Sequence, residues 1–315
     1  MRRFFVFFLL LALMAMALSS CAPLIKEGAV EERGQVCATF PPFYALTALL
    51  TDAIDGLQLS CLVQPQDGCL RDYALSDWDL YTLASADIII AGGRGLESFE
   101  STLQSLGAAG PVVALTLYNT ELYNQDDEAA DDEENSHLDG ANPHLYMATD
   151  GARYIVEGAA LALAQLYPEY AEQLFANMDA ADERLMALGE QMRSIAANAE
   201  GARAILMNEA LVYTAQELGI EIAGQYDRES GQQLYENEVD DCLAQLADMD
   251  ARVVLVERQA PPSLTEALMG AGYIVAKLDV LSTLRVDMGA EGYFTAQQEN
   301  ARAIAAAFAQ AEETH

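Results

Sequence analysis

The sequence predicts an α/β protein of two lobes, each a parallel sheet flanked by helices, joined by a long rigid helix. Two observations predict it. Short apolar runs alternate with helix-spaced segments over residues 34–115 and again over 201–309. Turn residues follow the apolar runs, as expected of strands covered on both faces by crossover helices. Between these stretches, residues 149–199 carry helical spacing almost throughout, broken at Tyr167-Pro168.

Taken in order, Gln35–Phe40 reads as a strand. Pro41-Pro42 opens a helix to about Asp55, because proline fits the first turn, where its missing N–H has no partner to lose. Leu57–Val63 is a second strand and Gln64–Gly68 a turn. Leu75–Ala86 is a helix, Asp87–Ala91 a buried strand ending at Gly92-Gly93, Leu96–Leu106 a helix and Val112–Leu115 a strand. Pro168–Ala199 is expected to be one helix of about 30 residues, about 45 Å at 1.5 Å per residue. Beyond Gly201, strands Ala204–Met207, Ile220–Ala223, Arg252–Glu257 and Tyr273–Leu278 alternate with helices Glu209–Leu218, Val239–Ala247, Pro262–Ala271 and Phe294–Ala309. The expected divisions are a first lobe over 34–167, a connecting helix over 168–200 and a second lobe over 201–315. The halves share architecture without a residue-level repeat.

Residues 1–20 have the form of an export signal: Met1-Arg2-Arg3, an apolar run from Phe4 to Leu18, then small residues before Cys21. The run is short for a permanent span. Leu18-Ser19-Ser20-Cys21 resembles a bacterial lipobox, which implies lipidation of Cys21 and anchorage to the outer face of a bacterial cytoplasmic membrane. Two acyl chains anchor stably where one is marginal. Residues 21–33 then read as a tether.

The net charge of −33 repels nucleic acid and anionic lipid and attracts cations. The acidic stretch over 124–141, holding Asp126-Asp127-Glu128, Asp131–Glu134, His137 and Asp139, reads as a solvated loop or as a loose gatherer of cations before delivery. One His there offers little selectivity over calcium and magnesium. Besides Cys21 the chain has Cys37, Cys61, Cys69 and Cys242. Export permits disulfides, and the four cysteines allow three full pairings; Cys37 and Cys61 each sit in a strand-like run and could face each other on neighbouring strands. No Gly-x-Ser-x-Gly, P-loop or His-Glu-x-x-His occurs, so the chain is not expected to be an enzyme. Gly92-Gly93-Arg94-Gly95 follows a strand as phosphate-binding turns do, but lacks the G-x-G-x-x-G spacing.

Several blocks together carry a family resemblance. These are Asp72-Tyr73 with Asp79 and Leu83–Asp87, then Gly92–Glu97, then Asn142-Pro143-His144 after the acidic loop. Val256-Glu257-Arg258-Gln259, Leu278-Asp279-Val280-Leu281, Gly292-Tyr293 and Asn300 follow in order. Over residues 34–310 the chain resembles the solute-binding lipoproteins of bacterial ABC importers for zinc and manganese. The resemblance implies a divalent metal, zinc or manganese, as cargo in the cleft between the lobes. It also implies a permease with its ATPase as partners, a monomeric receptor, and little hinge motion about a continuous spine.

The resemblance places metal ligands at Arg71, His144, Asn208 and Asp279. His144 and Asp279 are competent donors. Arg71 and Asn208 depart from the expected His and His-or-Glu, so the metal site is degenerate. Tyr213 and Gly219 support the register at Asn208; a slip of one would bring Glu209 into the site. A guanidinium has no lone pair to give, and a charge about 4 Å from a bound cation costs about 4 kcal/mol at an effective dielectric of 20. Cys69 could substitute as a thiolate. Three readings follow: a metal receptor with unusual ligands; the same fold with a chelate or other non-metal cargo, Arg71 pairing with Asp279 or an anion; and a cargo-free interaction lipoprotein.

Overall fold

The computed structural model describes residues 33–65, 73–108, 110–116, 142–226 and 236–313. The signal and tether with Cys21, the acidic loop with His137, and the segment with Cys69 and Arg71 lie outside the described residues.

The first sheet holds β1 (Gly34–Ala38), β2 (Leu57–Cys61), β3 (Ile88–Ala91) and β4 (Val112–Leu115), all parallel, in the order β2-β1-β3-β4. The second holds β5 (Arg203–Leu206), β6 (Glu221–Gln225), β7 (Val253–Glu257) and β8 (Ile274–Leu278), also parallel, in the order β6-β5-β7-β8. The two topologies are identical. β1, β3, β5 and β7 sit inside their sheets, and Ile88–Ala91 and Val253–Glu257 are buried along their whole length. A parallel sheet covered on both faces demands such buried runs, which are apolar here except for Glu257 at the end of β7.

Helices cover these faces. In the first lobe they are α1 (Pro41–Thr51), α2 (Asp77–Ser85) and α3 (Glu100–Gly107). The chain then runs through α4 (Thr149–Leu166) and α5 (Ala171–Ile195), the long helix between the lobes. The second lobe carries α6 (Leu211–Glu217), α7 (Glu236–Ala247), α8 (Pro262–Gly270) and α9 (Ala290–Glu313). The connecting helix is shorter than expected. Pro168–Tyr170 and Ala197–Ala199 are 3-10 turns, leaving 25 α-helical residues, Ala171–Ile195, or about 37 Å.

One apolar core takes in Val36 and Ile88 of the first sheet, Leu163 of α4, Leu185 of α5, Leu206 and Leu255 of the second sheet, and Ile304 of α9. Alternate residues of the second sheet (Ile205, Met207, Val254 and Val256) point the other way, into a smaller cluster with Cys242, Leu264 and Leu268. This period of two is the pleat of the strand. α9 also packs on α1 and α5, so it ties the second lobe back to the first. The lobes therefore share apolar contacts as well as a spine.

β1 and β2 are neighbours, as expected, but their cysteines do not form a pair across the ladder. Cys37 lies opposite Ser60 and Cys61 opposite Ala38, an offset of one that sends the side chains to opposite faces. Both are free thiols. Burial pushes the Cys37 thiol up to about 11, which keeps it protonated and unreactive. Among the described residues no helix is long and apolar enough to cross a membrane.

Candidate functional site

In both sheets the motif residues follow the C-terminal ends of the strands, where open parallel sheets gather ligand-binding groups. The rim of the first lobe is built by two local devices. Ser76 caps α2 in a reciprocal box with Asp79, and Asp79 Oδ2 also accepts from the Tyr73 hydroxyl at 3.0 Å. Asp79 is thus a structural residue that fixes the chain from Tyr73 into α2.

The other device is the glycine turn after β3. Gly93, Arg94 and Gly95 all have positive φ, at 79°, 53° and 75°, a conformation that favours glycine. The turn aims successive N–H groups inward, but Glu97 of the same chain fills the nest. Its carboxylate accepts from Gly92 N and Gly93 N at 2.8 Å each and from Thr39 Oγ1 at 2.8 Å. The donors that a phosphate would need are already engaged. Burial raises the Glu97 pKa, against the pull of these three donors. A folded value above the unfolded one means a contribution to stability present below about pH 4.5 and lost as pH rises through the folded value. Wild type should therefore gain more stability on acidification from neutrality than Glu97→Gln does. Urea unfolding midpoints across that range test this; equal slopes would contradict it.

His144 stands just before a 3-10 turn, Leu145–Met147, that leads into α4. It is buried, at 7% exposure, with its ring edge-on to Tyr146 at 5.8 Å. Asn142 sets its orientation. Asn142 Nδ2 donates to the Glu209 carbonyl at 2.7 Å, while Oδ1 accepts from His144 N at 3.0 Å and faces His144 Nδ1 at 2.9 Å. An amide oxygen only accepts, so Nδ1 carries the proton and Nε2 the lone pair. Glu209 Oε1 also approaches Nδ1, at 3.5 Å. A protonated nitrogen held by outer acceptors while the other bears a lone pair is how imidazoles are presented to metals.

The His144 segment is bound to the second lobe at several points. Tyr213 Oη donates to the Asn142 carbonyl at 2.8 Å and Thr214 Oγ1 to the Met147 carbonyl at 3.3 Å. Glu217, the last residue of α6, accepts from Thr149 N at 2.6 Å and Thr149 Oγ1 at 2.5 Å. It thereby supplies the N-terminus of α4 with the acceptor that Ala148 cannot provide. Gly189 of α5 makes room for this: a Cβ there would lie 2.7 Å from both Glu217 Oε1 and Thr149 Oγ1. From α9, Tyr293 Oη donates to the Tyr146 carbonyl and Gln297 Nε2 to the Met147 carbonyl, each at 2.8 Å.

Asn208 follows β5 and is buried; its Oδ1 accepts from Ala210 N at 2.9 Å, fixing the turn into α6. Asp279 follows β8 and is buried at 4% exposure. Its Oδ1 accepts from Leu281 N at 2.7 Å, a bond that helps hold Leu281 at a φ of 67°. Its backbone exchanges bonds with the Asn300 amide, at 2.7 and 2.9 Å. Its Oδ2 lies 3.1 Å from Arg258 Nη1.

The geometry sorts the expected site residues. Glu209 is drawn to His144 by the Asn142 hub. Asn208 and Asp279 close their strands on the same rim, and Arg71 is outside the described residues. Among the described residues, no three His, Cys, Asp or Glu side chains converge as a metal shell. Sequence reasoning missed Asn142 as the organiser of His144, Glu97 as the plug of the glycine turn, and Arg258 as the partner of Asp279. The Arg258–Asp279 pairing follows only from the observed strand register. Glu257 pairs with Leu278 in the β7–β8 register, so the next residues, Arg258 and Asp279, must emerge side by side.

Comparison with known proteins agrees with this architecture. No curated protein sequence matched the chain. Among solved structures, it is similar to the solute-binding protein FpvC of Pseudomonas aeruginosa in complex with Mn²⁺, at 19% identity over 89% of this chain and 99% of that one, with a TM-score of 0.70. It is also similar to the metal-dependent lipoprotein YcdH of Bacillus subtilis, at 18% identity, 87% and 99% coverage and a TM-score of 0.67. A third is the Zn(II)-bound ZnuA-like domain of Streptococcus pneumoniae AdcA, at 17% identity, 88% and 99% coverage and a TM-score of 0.70. Likeness at these identities speaks for the fold. A family model described as ZnuA, zinc-uptake complex component A, periplasmic, matches residues 36–307. Together with the paired sheets and the long helix between the lobes, that match places the chain in the ZnuA family of metal-binding solute-binding proteins.

Proposed function

We propose that the chain receives a divalent metal, zinc or manganese, between its lobes and delivers it to an ABC permease and its ATPase. His144 through Nε2 and Asp279 are the main ligands, with the Asn208 position beside them; Arg71 is the remaining position that the family resemblance assigns. Glu209 acts behind His144, on its Nδ1 side, and does not bind the metal directly. Lipidation at Cys21 would hold the monomeric receptor at the outer face of the membrane, with lobes at 34–167 and 201–315 about the 168–200 connection. The observation that carries this reading is the Asn142–His144 arrangement, which buries an imidazole and directs its donor nitrogen to protein acceptors. One nitrogen with carboxylate and amide oxygens suits zinc or manganese better than a soft thiolate-seeking ion.

A second reading, the same fold with a chelate or carboxylate cargo, is favoured by Arg258, whose cation already lies on Asp279. Titration of zinc and manganese into chelator-treated protein separates the two readings. The first predicts saturable binding of the free ion, the second none.

A further inference from the structure

Asp279 is the buried carboxylate offered to the metal, and it already holds a cation from its own lobe. Arg258 Nη1 sits 3.1 Å from Asp279 Oδ2, and the Asp279 side chain is 6% exposed. The guanidinium has a second partner, Glu299 of α9, whose Oε2 lies 3.4 Å from Nη2 and which is half-exposed. Arg258 itself is 47% exposed, so its head can leave Asp279 for water and Glu299 without unpacking the core. Its backbone cannot follow, because Arg258 N donates to the Leu278 carbonyl at 2.6 Å. One arginine is thus pinned at the base and shared between a buried carboxylate and a surface carboxylate one residue from Asn300, which fixes the Asp279 backbone.

On the reading that His144 and Asp279 bind metal, we propose that Arg258 is a specificity-determining residue. It is a built-in counter-cation that an incoming metal must displace from Asp279 towards Glu299. Displacement costs every cation the same, but cations differ in what they recover. Calcium and magnesium bind through oxygen and depend on the carboxylate. Zinc and manganese also take imidazole, so His144 compensates them for the competition. The arginine therefore sets a threshold that ions bound through the carboxylate alone do not cross. The receptor excludes the commoner extracellular ions by occupying the group they need.

The test compares zinc, manganese and calcium titrations of the full chain and of Arg258→Gln, Arg258→Lys and Glu299→Gln. Arg258→Gln should bind zinc and manganese about tenfold more tightly. It should also acquire calcium binding that competes with manganese. Arg258→Lys keeps the charge and should exclude calcium as wild type does. Glu299→Gln, a surface change, removes the alternative partner and should weaken metal binding several-fold. In the Arg258→Gln background the same change should have no effect, and a purely structural role for Arg258 would not produce that coupling. Should Arg258→Gln fail to fold, Glu299→Gln decides alone. Wild-type metal binding that neither substitution alters, or that Arg258→Gln weakens, overturns the proposal and leaves the metal reading standing. No metal bound by any of the proteins overturns the metal reading, and this one with it.

Discussion

His144→Ala should abolish the rise in melting temperature that zinc or manganese gives the wild-type protein. A ligand that binds only the folded state adds about 2.7 kcal/mol when present at a hundred times its dissociation constant. For a chain of this size that corresponds to about 5–10 °C. The substitution removes the imidazole nitrogen and also the ring that packs on Tyr146, so the metal-free protein will itself melt lower. The informative quantity is therefore the difference with and without metal, measured in each protein. Asn142 remains in the variant, still bonded to the Glu209 carbonyl, so the loop that carries the site keeps its attachment. A rise of wild-type size in His144→Ala would show that the metal is held elsewhere.

Glu217→Ala should destabilise the protein by about 3 kcal/mol, the cost of breaking one side of a buried, hydrogen-bonded charged group. The Glu217 side chain is 5% exposed. Its removal strands the N–H and hydroxyl of Thr149 at the start of α4 and leaves a void against Gly189. Arg193, 3.3 Å away but half-exposed, contributes little to this sum because solvent screens it. The loss falls where the second lobe grips the His144 segment, so metal affinity should fall with stability. Urea unfolding measures the first effect. A loss below about 1 kcal/mol would mean that other contacts, such as Tyr213 to the Asn142 carbonyl, carry the junction instead of this carboxylate.

Much of the architecture was legible because parallel sheets buried on both faces need unbroken apolar runs, and Ile88–Ala91 and Val253–Val256 are such runs. Boundaries were less legible. The last helix begins at Ala290, directly after Gly289 with its φ of 53°, whereas apolar spacing placed its start at Phe294. Gly292 in its first turn resembles a break, but a Cβ there would meet Leu284 Cδ2 at 2.8 Å, so close packing accounts for it. The long helix was overestimated because 3-10 turns at Pro168–Tyr170 and Ala197–Ala199 keep helical spacing while ending the α-helix.

In the candidate site, the chemistry of single residues was legible and their partners were not. His144 and Asp279 could be picked out as donors from type and position. That Asn142 would set the tautomer of His144 depends on α6 approaching from the other lobe, which no local pattern records. The glycine turn looked like an anion cradle because it is one. Its occupant, Glu97, was in view within the same motif, but only the fold reveals that a carboxylate two residues beyond Gly95 turns back into the nest. The Arg258–Asp279 pair follows from the β7–β8 register, and register between strands separated by a helix is set by packing.

Binding of a divalent metal by His144 and Asp279 between the lobes is the role proposed for this chain. Its most direct test is elemental analysis of the purified protein, followed by calorimetric titration of zinc and manganese after chelation. One zinc or manganese ion per chain is expected, lost on chelation and restored by titration with a matching rise in melting temperature. Protein that carries no metal, and that neither ion binds or stabilises, would contradict it.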